Sequence, residues 1–252
     1  MSLKKIIGEI YKADHDYHLI DDNDVIAVGI SGGKDSVLLA LALHYYKNMA
    51  LHYDNKHFDI VAIHLEMDFP DMDFSEIRKF MALHGIQYID YPTEIHDILY
   101  LHPDNQGRIQ CSLCSRLKKG AIINAAKKYH CNKIAFAHHA DDAIETLFMN
   151  MIQGGRITTF APAMYLKKAQ LGFIRPLVYT YEKYIISTAA EEHIPVVKST
   201  CLNDGFTLRQ DIKDVLAGIY HDFPGSHKNF LTALSNTEQL KLFYKNSDWR
   251  NE

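Results

Sequence analysis

No apolar run in this sequence approaches the roughly 18 residues that a membrane-spanning helix needs. The opening segment, MSLKKIIGEIYKADHD, is charged almost from its start and lacks a secretory apolar core. These absences predict a cytoplasmic protein with no membrane attachment. Cysteine is scarce: four in 252 residues, unevenly spaced. That argues against a disulfide framework and for reduced ligands or reactive thiols. A second CxxC pair is missing, so a zinc ribbon is not expected. Internal repeats and low-complexity linkers are also missing. Acidic charge is absent locally: between Asn105 and Tyr181 only Asp141, Asp142 and Glu145 face eleven Lys and Arg, a local +8 in a chain of formal charge −4. A field this segregated fits a polyanion docking on one side, or a solvated basic helix face.

What is present suits one α/β domain with a buried core: 47% hydrophobic and 23% charged residues. Short apolar runs at Asp24–Ile30, Phe58–Leu65, Gln87–Tyr91, Lys133–His138 and Phe173–Leu177 read as strands. Helical segments are expected at Lys4–Leu19, Ser36–Tyr46, Phe74–His84, Cys114–Tyr129, Asp142–Ile152, Glu182–Glu192 and Thr207–Tyr220. The alternation predicts a doubly wound parallel sheet of about five strands with helices on both faces. Phe223-Pro224-Gly225 breaks a helical C-terminal part in two. The expected organisation is an N-terminal helix at 1–20, a nucleotide-binding domain with a CxxC insertion at 21–205, and a helical extension at 206–252. Ligands of such sheets bind beyond the carboxyl ends of the strands.

Ser31-Gly32-Gly33-Lys34-Asp35-Ser36 sits between the first strand and its helix. Paired glycines let backbone approach an anion closely, and the N–H groups and dipole of the following helix favour negative charge. Ser31 and Ser36 add hydroxyls and Lys34 a cation. The loop is not a Walker A motif, because Val28 and Asp35 stand where Gly and Ser/Thr are required, nor does it have GxGxxG spacing. The plain structural alternative is a Gly-Gly turn with Asp35 capping the helix.

His138-His139-Ala140-Asp141-Asp142 follows the fourth strand. Asp142 with Glu145 three residues on reads as a capping box. Paired carboxylates beside polyphosphate also commonly hold Mg²⁺ and neutralise charge on a departing pyrophosphate. Cys111-Ser-Leu-Cys114 could be a redox pair, half a zinc site or two ligands of an iron–sulfur cluster, with Cys201 as a third thiolate. Cys131 reads as core packing.

The loop matches the SGGxDS signature of the PP-loop ATP pyrophosphatase superfamily. His-His-Ala-Asp-Asp resembles the GHHxDD motif of its tRNA-modifying members, with Ala137 where Gly is usual. Cys111–Leu117, Met149–Arg156, Phe173–Leu177, Cys201 with Leu208-Arg209-Gln210, and Phe223–Gly225 are similar to segments of the tRNA 2-thiocytidine synthetase (TtcA) family, over nearly the whole chain. The resemblance implies ATP cleavage to AMP and pyrophosphate, with residues 31–36 holding the phosphates and backbone near Ile63 and His64 meeting the adenine. It implies Lys34, Asp35 and Asp142 as catalytic, Asp141 and Asp142 as Mg²⁺ ligands, and Arg175 as a second transition-state cation. It further implies a [4Fe–4S] cluster on Cys111, Cys114 and Cys201 and a tRNA cytidine adenylated and then thiolated at C2. Sulfide or a cysteine desulfurase would supply sulfur, the helix Arg116–Lys128 would meet tRNA phosphates, and a homodimer is compatible. The competing readings are a thiolase carrying persulfides on Cys111 and Cys114, a PP-loop ligase or amidase on another RNA or a small molecule, and a nucleotide-binding regulator.

Overall fold

The computed structural model describes residues 2–69, 72–104, 108–198, 200 and 208–236. Cys201 lies outside them. Helix α1 (Leu3–Tyr17) leads into β1 (Asp24–Ile30), α2 (Lys34–Asp54), β2 (Phe58–Glu66), α3 (Ser75–Leu83) and β3 (Tyr88–Pro92). Then come α4 (Ile95–Leu101), α5 (Cys111–Lys128), β4 (Lys133–Ala135), α6 (Ala140–Gly154) and the hairpin β5 (Ala163–Leu166) and β6 (Leu171–Ile174). The described chain closes with α7 (Glu182–Glu191), α8 (Leu208–Asp222) and α9 (Ser226–Ala233). None of its helices is long and apolar enough to cross a membrane.

Among the described residues the sheet has six strands, in the order β3-β2-β1-β4-β6-β5. All neighbours pair in parallel except β5, which runs antiparallel to β6. The doubly wound sheet of about five strands is as expected, with the antiparallel β5 added at its edge. Its Ala163, Met164 and Tyr165 are exposed, so no buried face leaves an apolar alternation to read. β6 ends at Ile174 rather than Leu177, because Pro176 has no N–H for a ladder. Helix α4 also escaped the sequence reading, since only Ile95 and Leu99 anchor it.

Alternation within β1 builds both layers. Ile26, Val28 and Ile30 join a core with Ile6 and Ile10 of α1 and Val37–Leu43 of α2. Ala27 packs oppositely, with Val61, Ile63, Ile134 and Ile122, Ala125 and Ala126 of α5. In α1, Ile6, Ile10 and Ala13 repeat at helical spacing and are fully buried. Helix α2 runs eight residues past the expected end at Tyr46 and buries ten of its 21 residues, including the unbroken stretch Ser36–Leu43.

The amino edge of the sheet is closed by polar contacts. Lys133 Nζ lies 2.7 Å from both Asp21 and Asp24 carboxylates and donates to Leu19 O at 2.9 Å. Asn132 donates to Asp24 at 2.6 Å and accepts from Val25 N–H at 2.9 Å. The opposite edge stays open. Strand order reverses between β1 and β4, so the chain leaves these neighbours in diverging directions and a crevice forms at their carboxyl ends.

Candidate functional site

Three segments meet that carboxyl edge. The phosphate loop leaves β1, the His138–Asp142 segment leaves β4, and α5 begins there because a crossover helix runs antiparallel to the strands it joins. In the first, Gly32 adopts φ +93°, and a Cβ there would lie 3.1 Å from the Phe74 ring and 3.2 Å from Val197. Gly32 O accepts from Val197 N–H at 2.9 Å. The Ser36 hydroxyl is buried, donates to Gly33 O at 2.9 Å and accepts from Ser31 N–H at 3.2 Å. Ser36 thus shapes the loop from inside. Gly33 is the N-cap of α2 and supplies no side chain, so the first-turn amides at Lys34, Asp35 and Ser36 face the crevice without a capping side chain. Asp35 stands inside the first turn, so the plain alternative in which it caps the helix does not hold. Lys34 Nζ lies 3.2 Å from Asp35 and 3.4 Å from Glu182 of α7.

Beside the loop a cavity of about 390 Å³ opens among His64, Glu66, Phe74, Arg78 and Asp90. His64 stacks on Phe74 with ring centroids 3.6 Å apart, and its Nδ1 donates to Ile30 O at 3.3 Å. Burial holds its pKa below the usual histidine value. Ile63 is fully buried and flanked in the ladder by Gly29 and Ile89. The β1 ladder stops at His64, so the backbone of Leu65 and Glu66 has no β1 partner on the crevice side.

The acidic segment starts its helix earlier than expected. His139, not Asp142, is the N-cap of α6: its side chain accepts from Asp142 N–H, while Asp142 Oδ2 accepts from His139 N–H at 3.0 Å. The capping box is real but shifted three residues, because an imidazole nitrogen can accept where Ser or Asp usually does. Asp142 Oδ1 is 2.5 Å from Arg209 of α8, and Asp141 Oδ1 is 2.8 Å from His227 of α9. Asp141 Oδ2 accepts from Glu182 N–H at 2.6 Å. Burial opposes ionisation of Asp141, but His227 and the Glu182 N–H outweigh it and hold the carboxyl below its usual range. Glu145 is buried, and desolvation pushes it up to about 7 despite Lys213.

The donor set suits a hard cation, since it offers carboxylate oxygens close to the phosphate loop. Among the described residues no three His, Cys, Asp or Glu side chains converge on one point. Mg²⁺ takes one or two carboxylates and completes its shell with substrate phosphates and water, so two aspartates are a compatible set. Cys111 and Cys114 occupy the first turn of α5, one exposed and one half-buried, on one face at i and i+3 spacing. The helix begins at Cys111 rather than Cys114, so the pair is helical. The third expected thiolate, Cys201, falls outside the described residues. Arg175 Nη1 donates to Ala161 O at 2.6 Å, and its guanidinium covers the Phe160 ring at 4.8 Å. Cys131 is buried, and desolvation pushes its thiol up to about 11, in keeping with packing.

A PP-loop domain family model (ATP_bind_3) matches residues 3–209. A tRNA-cytidine(32) 2-sulfurtransferase of Geobacter sulfurreducens is 34% identical over 241 residues, covering 95% of this chain and 92% of that protein. The chain belongs to the PP-loop family of tRNA-cytidine 2-sulfurtransferases. A second relative of that name, from Coxiella burnetii, is 34% identical over 95% of this chain and 92% of its own length. Among solved structures, the U34-tRNA thiolase NcsA from Methanococcus maripaludis, with its [4Fe-4S] cluster, superposes with a TM-score of 0.70 at 20% identity, covering 94% of this chain and 79% of its own. The shared fold is thus that of PP-loop proteins.

A basic surface runs along α5 from its start at this edge. Arg116, Lys118, Lys119, Lys127 and Lys128 are all exposed on α5, while Ile122, Ala125 and Ala126 form its inner face. Sequence reasoning did not select Glu182, Lys213 or His227, and met Arg209 only inside a family segment. On α8, Arg209 and Lys213 are four residues apart and share a face. That was the available signal, but their acidic partners lie far away in sequence.

Proposed function

We propose that this PP-loop protein is an ATP-dependent tRNA sulfurtransferase that converts a cytidine, position 32 by the name its relatives carry, to 2-thiocytidine. The observation that carries the reading is the meeting, at one sheet edge, of an uncapped helix N-terminus after SGGKDS, the Asp141–Asp142 pair and the start of the Cys111–Cys114 helix. Relatives of that name match 95% of the chain.

The α2 amides and Lys34 would hold the triphosphate, and charge growing on pyrophosphate is what they would stabilise. Asp142 and Asp141 would hold Mg²⁺, whose chemistry there is to neutralise the phosphate oxygens. The backbone beyond His64 would meet the adenine. The cytidine O2 would attack the α-phosphorus as the bond to the bridging oxygen breaks and pyrophosphate departs. Sulfide would then bond to C2, and AMP would leave with the former O2. Cys111, Cys114 and Cys201 would hold a [4Fe–4S] cluster that, when bound, offers an open iron for sulfide, supplied directly or released from a cysteine desulfurase persulfide by a thiol reductant that leaves as disulfide. The exposed basic face of α5 would hold tRNA phosphates, a role that weakens with salt. Such substrates belong to the cytoplasm.

Anaerobic incubation of the reconstituted protein with ATP, Mg²⁺, sulfide and unmodified tRNA should yield 2-thiocytidine by nucleoside mass spectrometry, with AMP and pyrophosphate in equal amounts. Production of ADP and orthophosphate, or tRNA without 2-thiocytidine, would overturn the reading.

A further inference from the structure

Among the described residues, Asp141, Asp142, Glu145 and Glu182 are each engaged by a cation or N–H of the protein. Arg209 Nη1 sits 2.5 Å from Asp142 Oδ1 and 3.4 Å from Glu145 Oε2. Lys213 Nζ is 2.8 Å from Glu182 Oε2 and 3.9 Å from Glu145 Oε1, while Glu182 Oε1 is 3.4 Å from Lys34 Nζ. His227 meets Asp141 on the other side. The C-terminal helices α8 and α9 bring Arg209, Lys213 and His227. They are held against α6 by Ile212 and Leu216 packing on Ile144, with Phe230 beside them.

We propose that Arg209 is a stand-in cation: it occupies at Asp142 the place that Mg²⁺ takes when nucleotide is loaded, so that metal entry and the departure of its guanidinium are a single exchange. The inference rests on the reading of Asp142 as a magnesium ligand. Asp142 Oδ2 is committed to the His139 N–H that caps α6, which leaves Oδ1 as the oxygen for an outside cation, and Oδ1 is the one Arg209 holds. The Arg209 side chain is 40% exposed whereas Asp142 is 19% exposed, so the arginine can swing toward solvent while the aspartate stays. The α8 helix need not unfold, because Ile212 and Leu216 anchor it independently of the arginine. Glu145 keeps Lys213 as a neighbour through the exchange.

The test measures binding, not turnover. Mg²⁺ is titrated calorimetrically into the full chain with α,β-methylene-ATP, which cannot be cleaved between its α and β phosphates. Arg209→Gln removes the competing cation and should tighten Mg²⁺ binding by about ten- to a hundredfold, the equivalent of one charge-assisted hydrogen bond. Arg209→Lys should fall between the two, and it serves in place of the glutamine variant if that one melts early. Unchanged or weaker Mg²⁺ binding in both folded variants overturns the exchange. Asp142→Asn separates the two levels. If it leaves Mg²⁺ affinity intact, the ligand assignment itself fails. If it abolishes binding while Arg209→Gln changes nothing, only the stand-in role fails.

Discussion

Phe74 lies against Gly32 so closely that a methyl group on the glycine would stand 3.1 Å from two atoms of its ring. The contact ties the turn after β1 to the start of α3, and the stack of Phe74 on His64 extends it to the end of β2. The phosphate loop is therefore braced from the cavity side.

Gly32→Ala should impair the loop on two counts: φ +93° is unfavourable for a side chain, and the new Cβ meets Phe74 and Val197. A cost of about 1–3 kcal/mol is expected, read as a fall in melting temperature of roughly 2–4 °C per kcal/mol for a chain of this size. Nucleotide affinity should fall as well. Adding Phe74→Leu should recover little, since backbone strain persists. Wild-type melting and affinity in Gly32→Ala would contradict the brace.

Burial of His64 has a consequence for acid stability. The unfolded chain binds a proton at this residue near 6.5, whereas the native ring stays neutral to lower pH. Protons therefore favour the unfolded state, and stability falls as pH drops below about 6.5, levelling off beneath the native value. His64→Asn should flatten the curve by up to about 1.4 kcal/mol per pH unit. Denaturant midpoints between pH 7 and pH 5 provide the check. A slope remains in the variant, because burial also lowers His44 and His138. A curve identical to wild type would show that His64 charges freely when folded.

Lys133 offers the converse test, stability without activity. It pairs with Asp24, which is only 3% exposed, at the edge remote from the site. Removing one partner of a buried pair costs about 3–5 kcal/mol, and the lower end applies here because Asp24 also accepts from Asn132 and Asp21 N–H. Lys133→Met should lower the melting temperature while leaving AMP formation unchanged well below unfolding. A selective loss of turnover in a stable variant would show that the two edges communicate.

On α5, Arg116, Lys118 and Lys119 are exposed. Each change to alanine should reduce the slope of log affinity for tRNA against log salt by about 1 if that side chain meets a phosphate. Helix content should not change, because Ile122, Ala125 and Ala126 hold the inner face. Filter binding at several salt concentrations measures the slopes. Slopes equal to wild type in all three variants would move the tRNA surface elsewhere.

Much of this architecture was legible because the signals were local. β1 was read to the residue, since a β-branched run followed by Gly-Gly leaves little choice. The full order of strand pairing and the antiparallel β5 were not, because the one depends on distant pairing and the other on a strand with no buried face. The loop and the two aspartates announced themselves by spacing. What each aspartate touches did not: Arg209 and His227 reach Asp142 and Asp141 only after α8 and α9 dock on Ile144 of α6. The cap was misplaced for a similar reason, as histidine is an uncommon N-cap and Asp142 satisfied the familiar pattern.

Helix α2 carries the loop amides on its first turn and keeps ten of its residues buried. Whatever anion settles there is fastened to a helix buried in the main core. Occupancy should therefore register as protection of the whole domain: at a hundredfold excess over its dissociation constant, a bound nucleotide adds about 2.7 kcal/mol against global unfolding. A simple melting curve becomes a census of which nucleotides this pocket accepts, before any acceptor RNA is in hand.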